Sequence, residues 1–165
     1  MVRAKKISLG FIVVLLLFMR IFVQSTPQGH VSKYLGIDCS RGIANEYIET
    51  HGGFLGDGDT FIEIQFQNED FEKRIRESEG WRELPLTENL KIIIYGISDE
   101  ERDWGPSVVG EIPEIRNGYY YFEDRHSESM DNNDDSKIFD RLSRNYTIAV
   151  YDADTMILYY CEEDT

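Results

Sequence analysis

His51, Asp57 and Asp59 share one glycine-dense loop, His51-Gly52-Gly53-Phe54-Leu55-Gly56-Asp57-Gly58-Asp59. Carboxylates two residues apart, on a chain flexible enough to converge them, can hold a hard divalent cation such as calcium. The EF-hand pattern is not met, because its fifth position falls on Phe61. A second acidic run, Asp131, Asn133 and Asp135, has the right early spacing. There Ser136 replaces the required glycine and Leu142 the closing glutamate. The same residue types also build tight turns, with glycine supplying positive φ and aspartate capping the backbone.

A second cluster, Glu123-Asp124-Arg125-His126-Ser127, follows an aromatic segment. Imidazole and carboxylate both ligate zinc, and imidazole titrates near neutrality. His126 with Asp124 or His51 is therefore a candidate zinc or acid–base pair, and an Arg125 surface salt bridge is the plainer use of the cluster. Taken together, His51, Asp57, Asp59 and His126 are the candidate divalent-cation ligands, and a small metal-assisted hydrolase is the enzymatic alternative they suggest. No Gly-x-Ser-x-Gly elbow, His-Glu-x-x-His helix or phosphate loop occurs. Ser127 and Ser129 lie in a polar acidic stretch. Tyr119-Tyr120-Tyr121 and Tyr159-Tyr160 could form an aromatic face for sugar or peptide, although alternate residues of strands are more commonly core. Cys39 and Cys161 are the only cysteines, and a Cys39–Cys161 disulfide is a candidate if the chain is exported.

The elements that must position these groups follow from periodicity. Strands are expected at residues 34–39 (YLGIDC), 43–50, 60–66 (TFIEIQF), 90–95 (LKIIIY), 119–122 (YYYF), 146–152 and 156–162. In 60–66, Ile62, Ile64 and Phe66 share one side, and Phe61 is the one large apolar residue on the outward side. Asn68 is a good N-cap, Phe71 and Ile75 fall at helical spacing, and Gly80 ends that helix. The clearest hairpin is the pair of strands flanking Ala153-Asp154-Thr155. Residues 96–110 and 127–136 read as loops. The expected fold class is α+β: a mostly antiparallel sheet of about six strands with one main helix, preceded by an N-terminal transmembrane or signal segment.

That first segment differs in kind from the rest. Arg3, Lys5 and Lys6 precede an apolar run over residues 7–23 that is interrupted by Arg20. Basic residues retained in the cytoplasm orient such a run with its C-terminal end outward. Its length suits an uncleaved single-pass anchor, and residues 7–19 with Val23-Gln24-Ser25 suit a cleaved signal peptide and a secreted product. No cysteine directly follows the run to carry a lipid, the nearest being Cys39. The expected division is therefore an anchor or signal at 1–25, a linker at 26–33 and a single extracytoplasmic domain at 34–165. The first 24 residues hold four of the 17 Lys/Arg and none of the 31 Asp/Glu. The remainder carries 13 positive against 31 negative charges, a net of −18. Such a field repels nucleic acid and favours cations or basic protein partners.

The segments YLGIDC, ETHGGFLGDGDTFIEIQF, YYYFEDRHSES and YTIAVYDADTMILYYCEEDT together resemble a group of uncharacterised small exported or membrane-anchored proteins of Gram-positive bacteria, over most of residues 34–165. The resemblance implies a bacterial origin and an extracytoplasmic place, carries no activity, cofactor or site residue, and implies that the sequon Asn145-Tyr146-Thr147 is not glycosylated. The functional expectation is a non-catalytic, membrane-anchored module that binds a partner or cation at the cell envelope.

Overall fold

A computed structural model describes residues 26–52, 56–126 and 131–165. The apolar run at residues 7–23, its cleavage site, and Ser127 and Ser129 lie outside them. Among the described residues no helix is long and apolar enough to cross a membrane.

A helix stands where a linker at 26–33 and the start of a strand at 34–39 were expected. Thr26 accepts a hydrogen bond from the Gly29 amide at 3.0 Å, Pro27 takes the first helical position, and α1 runs Pro27–Leu35 to a left-handed Gly36. Capping hydroxyl, N1 proline and C′ glycine are the standard punctuation of a helix. Val31 and Leu35, one turn apart, are buried against the sheet. The next elements are β1 (Ile43–Glu49), β2 (Gly58–Gln65), α2 (Asp70–Glu77) and β3 (Trp81–Glu83). α3 (Glu88–Tyr95) takes the place of the strand expected at 90–95. Thr87 caps it through the Leu90 amide, and Leu90, Ile93 and Ile94 bury at helical spacing. Two short strands, β4 (Ile97–Ser98) and β5 (Asp103–Trp104), pair with each other. β6 (Gly118–Asp124), β7 (Asn145–Asp152) and β8 (Ile157–Asp164) complete the chain.

The fold is α+β, with one six-stranded antiparallel sheet ordered β1-β2-β8-β7-β6-β3 and three helices among the described residues. Its central strands are covered on both faces. On one face, Val31 and Leu35 of α1 and Phe71 and Ile75 of α2 pack on Ile62, Ile64, Leu158 and Tyr160. On the other, α3 packs on Phe61, Ile148, Val150 and Cys161. Phe61 is therefore core rather than outward. The β7–β8 hairpin lies at the centre of the sheet. Asp152 accepts from the Asp154 amide at 2.9 Å and the Thr155 hydroxyl at 2.7 Å, which closes its turn.

Cys39 and Cys161 are free thiols, and the candidate bridge does not form. Cys39 belongs to the core under α1 and Cys161 to the core under α3, so the sheet stands between them. The acidic stretch around Asp135 is anchored rather than loose. Asp135 is buried, its carboxylate accepts from the Thr87 hydroxyl, and its carbonyl accepts from Asn89 at 2.9 Å.

Candidate functional site

Antiparallel register assembles the candidate site. Glu49 on β1 stands opposite Thr60, Thr60 opposite Glu162, Glu162 opposite Thr147, and Thr147 opposite Glu123. Glutamate and threonine thus alternate in a row across five strands. Side chains two apart on a strand share a face. The row therefore faces α1, as Ile62 and Tyr160 do. The next row out is centred on Asp164, opposite Gly58 and Asn145. His51 and Arg125 flank it.

Two histidines complete this end of the sheet. His30 of α1 reaches Glu162 Oε2 through Nε2 at 2.7 Å. His51 bonds Glu49 Oε1 through Nδ1, and Asp164 Oδ2 through Nε2 at 3.1 Å. Arg125 holds the other Asp164 oxygen at 3.0 Å and donates to the carbonyls of Tyr146 and Glu163 at 3.0 and 3.3 Å. Thr60 donates to Glu49 Oε2 at 3.1 Å.

The electrostatics follow from these contacts. Burial pushes the Glu162 carboxyl up. The His30 hydrogen bond, the neighbouring Tyr160 hydroxyl, and the charges of His30 and Arg125 outweigh it, so the group stays below its ordinary 4.5. Glu49 is likewise held down against burial by His51 and Thr60. Partial burial pulls His51 down, but Glu49 and Asp164 raise it above its ordinary 6.5. This end of the sheet therefore carries ionised carboxylates around basic groups, an arrangement suited to binding charge and exchanging protons.

The outermost edge of the sheet opens into a cleft of about 410 Å³ lined by Asp57, Asp59, Ser107, Arg144, Glu163 and Asp164. Glu163 faces the α3 side, where it accepts from Tyr146 Oη at 2.7 Å and pairs with Arg144 at 3.0 Å.

Each of the four candidate cation ligands has its own surroundings. Asp57 and Asp59 line the cleft. Alternation along β2 turns Asp59 away from the face that Thr60 shares with Glu162. The ring of His51 is bonded to Glu49 and Asp164. His126 follows β6, its amide donating to Asp124 at 3.0 Å. Among the described residues, no group of three or more His, Cys, Asp or Glu side chains is arranged to hold a metal ion. The Arg125 salt bridge is present, with Asp164 as partner. Tyr159 and Tyr160 are core residues on opposite faces.

Sequence reasoning missed His30, Glu49, Glu162 and Asp164. The available signal was the alternation Leu158, Tyr160, Glu162, Asp164, which puts two carboxylates on the inward face of an aromatic strand. For His30 it was the Thr26–Pro27 start of a helix whose Val31 and Leu35 must bury. The chain matches no protein-family model, no curated protein and no solved structure.

Proposed function

We propose that this chain is a non-catalytic module, held at the cell envelope through residues 7–23, that binds a positively charged group of a partner at the acidic end of its sheet. The observation that carries this reading is the gathering of Glu49, Asp57, Asp59, Glu162, Glu163 and Asp164 at one end of the sheet, with Arg125 and Arg144 between them. The net charge of −18 outside the first 24 residues extends the same field over the whole domain. Such a field accelerates encounter with basic partners and is screened by salt. The basic start and apolar run support an extracytoplasmic place, as does the resemblance to exported Gram-positive proteins.

The test is titration of the full-length chain with a lysine-rich peptide and with its glutamate-substituted counterpart. The lysine peptide is expected to bind, to weaken steeply as salt rises, and to lose affinity in a Glu49→Gln, Asp164→Asn double variant. Equal binding of the two peptides, or binding indifferent to salt, would refute the reading. So would hydrolysis of generic ester, phosphate or peptide substrates that disappears on His51→Ala.

A further inference from the structure

Around the His30–Glu162 contact, four buried polar atoms have no partner of full hydrogen-bond geometry: Glu162 Oε1, Tyr160 Oη, Thr147 Oγ1 and Arg125 Nε. Glu162 is 5% exposed, and Tyr160 and Thr147 are fully buried. Register makes the four neighbours. Thr147 is directly opposite Glu162, and Tyr160 lies two residues along the same face of β8. Side chains so related stand about 4.5–8 Å apart. The Arg125 guanidinium crosses the same strands to the carbonyls of Tyr146 and Glu163, the residues preceding Thr147 and following Glu162. The Tyr160 hydroxyl and the Glu162 carboxyl act on each other as a loose hydrogen bond would, raising the phenol and lowering the acid, although no bond of full geometry joins them.

Buried polar atoms are normally satisfied, so what this group lacks defines what would complement it. Three of the atoms can accept: one carboxylate oxygen and two hydroxyls. The fourth, Arg125 Nε–H, can only donate. An ammonium offers three N–H donors, and a carbonyl beside it offers the acceptor that the arginine needs. Those two groups occur together, one carbon apart, in an α-aminoacyl head group. The local charge selects among such molecules. Glu162, Glu123, Glu49 and Asp164 outnumber Arg125, His30 and His51 around the position, so a ligand of charge +1 is favoured over a zwitterion.

We infer that Glu162, Tyr160, Thr147 and Arg125 form a recognition subsite for the free amino terminus of a polypeptide, with the ammonium on the first three and the first carbonyl on Arg125. The inference rests on the proposed function, and names the positively charged group that the acidic end takes. His30 is the gate. Its ring lies edge-on to Tyr160 at 5.8 Å between centroids, caps Glu162 through Nε2, and is itself 31% exposed. Rotation of that side chain away from Glu162 opens the subsite without moving the sheet.

The experiment is calorimetric titration of the full-length chain with glycinamide, glycylglycinamide, N-acetylglycinamide, ethylamine and glycine. Glycinamide and glycylglycinamide are expected to bind saturably and alike. N-acetylglycinamide, which lacks the ammonium, should not bind. Ethylamine, which lacks the carbonyl, should bind at least ~10-fold more weakly, the effect of one lost hydrogen bond to a charged group, and zwitterionic glycine should also bind more weakly, because its carboxylate is repelled by the surrounding carboxylates. Glu162→Gln and the near-isosteric Thr147→Val should each weaken glycinamide by ~10-fold or more, with circular dichroism and melting confirming that both variants fold. Equal binding of glycinamide and N-acetylglycinamide, or affinity unchanged in both variants, would overturn the subsite and leave trapped water as the complement of these atoms. Glycinamide binding without glycylglycinamide would overturn the polypeptide terminus as the ligand. If the lysine-rich peptide still binds while glycinamide does not, only the subsite fails. If neither binds, the proposed function fails with it.

Discussion

Glu162 and His51 respond to pH in opposite senses. The folded pKa of Glu162 is depressed, so its contribution to stability is present above its ordinary 4.5 and is lost as pH falls through the folded value. That of His51 is raised, so its contribution is present below its ordinary 6.5 and is lost as pH rises through the folded value. Denaturant midpoints of the wild type should therefore decline on both limbs. Glu162→Gln is expected to flatten the acid limb relative to the wild type, and His51→Asn the alkaline limb. Proton NMR should show His51 titrating above its ordinary value, with Asp164→Asn or Glu49→Gln drawing it back down. An unshifted His51 would mean that the Glu49–His51–Asp164 contacts do not persist in solution. At this scale the sequence was partly legible. His51 stood out because it follows a strand and opens a glycine-rich loop. Glu162 and Asp164 did not, because Glu-Glu-Asp-Thr reads as a solvated tail unless the period-two alternation of β8 is carried to its end.

At the scale of elements, legibility followed how strongly one period dominated. β2, β6 and the β7–β8 hairpin alternate or cluster aromatics and were read at nearly their observed bounds, as was α2 from Phe71 and Ile75. α3 was missed because three consecutive isoleucines favour a strand locally. Its Thr87 cap and the burial of Leu90, Ile93 and Ile94 on one side decide for the helix. α1 was missed because its composition is polar and contains proline and glycine, although both occupy positions that helices accept. If α1 is an integral layer, Leu35→Ala should cost about 2–5 kcal/mol in chemical denaturation, the range for buried leucines. Thr26→Ala should cost about 1 kcal/mol through loss of the cap. A tether would lose almost nothing from either change. Burial of Phe61 under α3 leads to a similar expectation on the opposite face, about 3–5 kcal/mol for Phe61→Ala.

Across the whole molecule, two properties need all of the layers at once. The six-stranded sheet separates the two cysteines, which no inspection of their sequence positions could reveal. Reductant should therefore leave the unfolding midpoint unchanged, and both thiols should react with a thiol reagent only after denaturation. Burial pushes Cys39 up to about 12 and raises Cys161 as well, so neither is a thiolate in the folded protein. A midpoint that drops on reduction would indicate a bridge. The second property is the acidity of the domain. Added salt should raise the melting temperature of the free protein by screening its self-repulsion, while weakening its capture of basic peptides.

The strand order has a consequence for how the chain acquires its shape during synthesis. β8 is the partner of β2 and β7 is the partner of β6, so the middle of the sheet is made from a strand that is synthesised after all the others. Until residues 157–164 emerge, β1–β2 and β3–β6–β7 are separate fragments with unpaired edges, and their apolar faces have nothing between them. Formation of the sheet is therefore deferred until β8 is made, and its slow step joins segments nearly 100 residues apart, β2 and β8. Nascent chains stalled before residue 157 should remain sensitive to protease, with resistance arising only once β8 is free to pair. A sheet that stays open until its central strand is made leaves a polypeptide that can pass through a membrane channel before it closes.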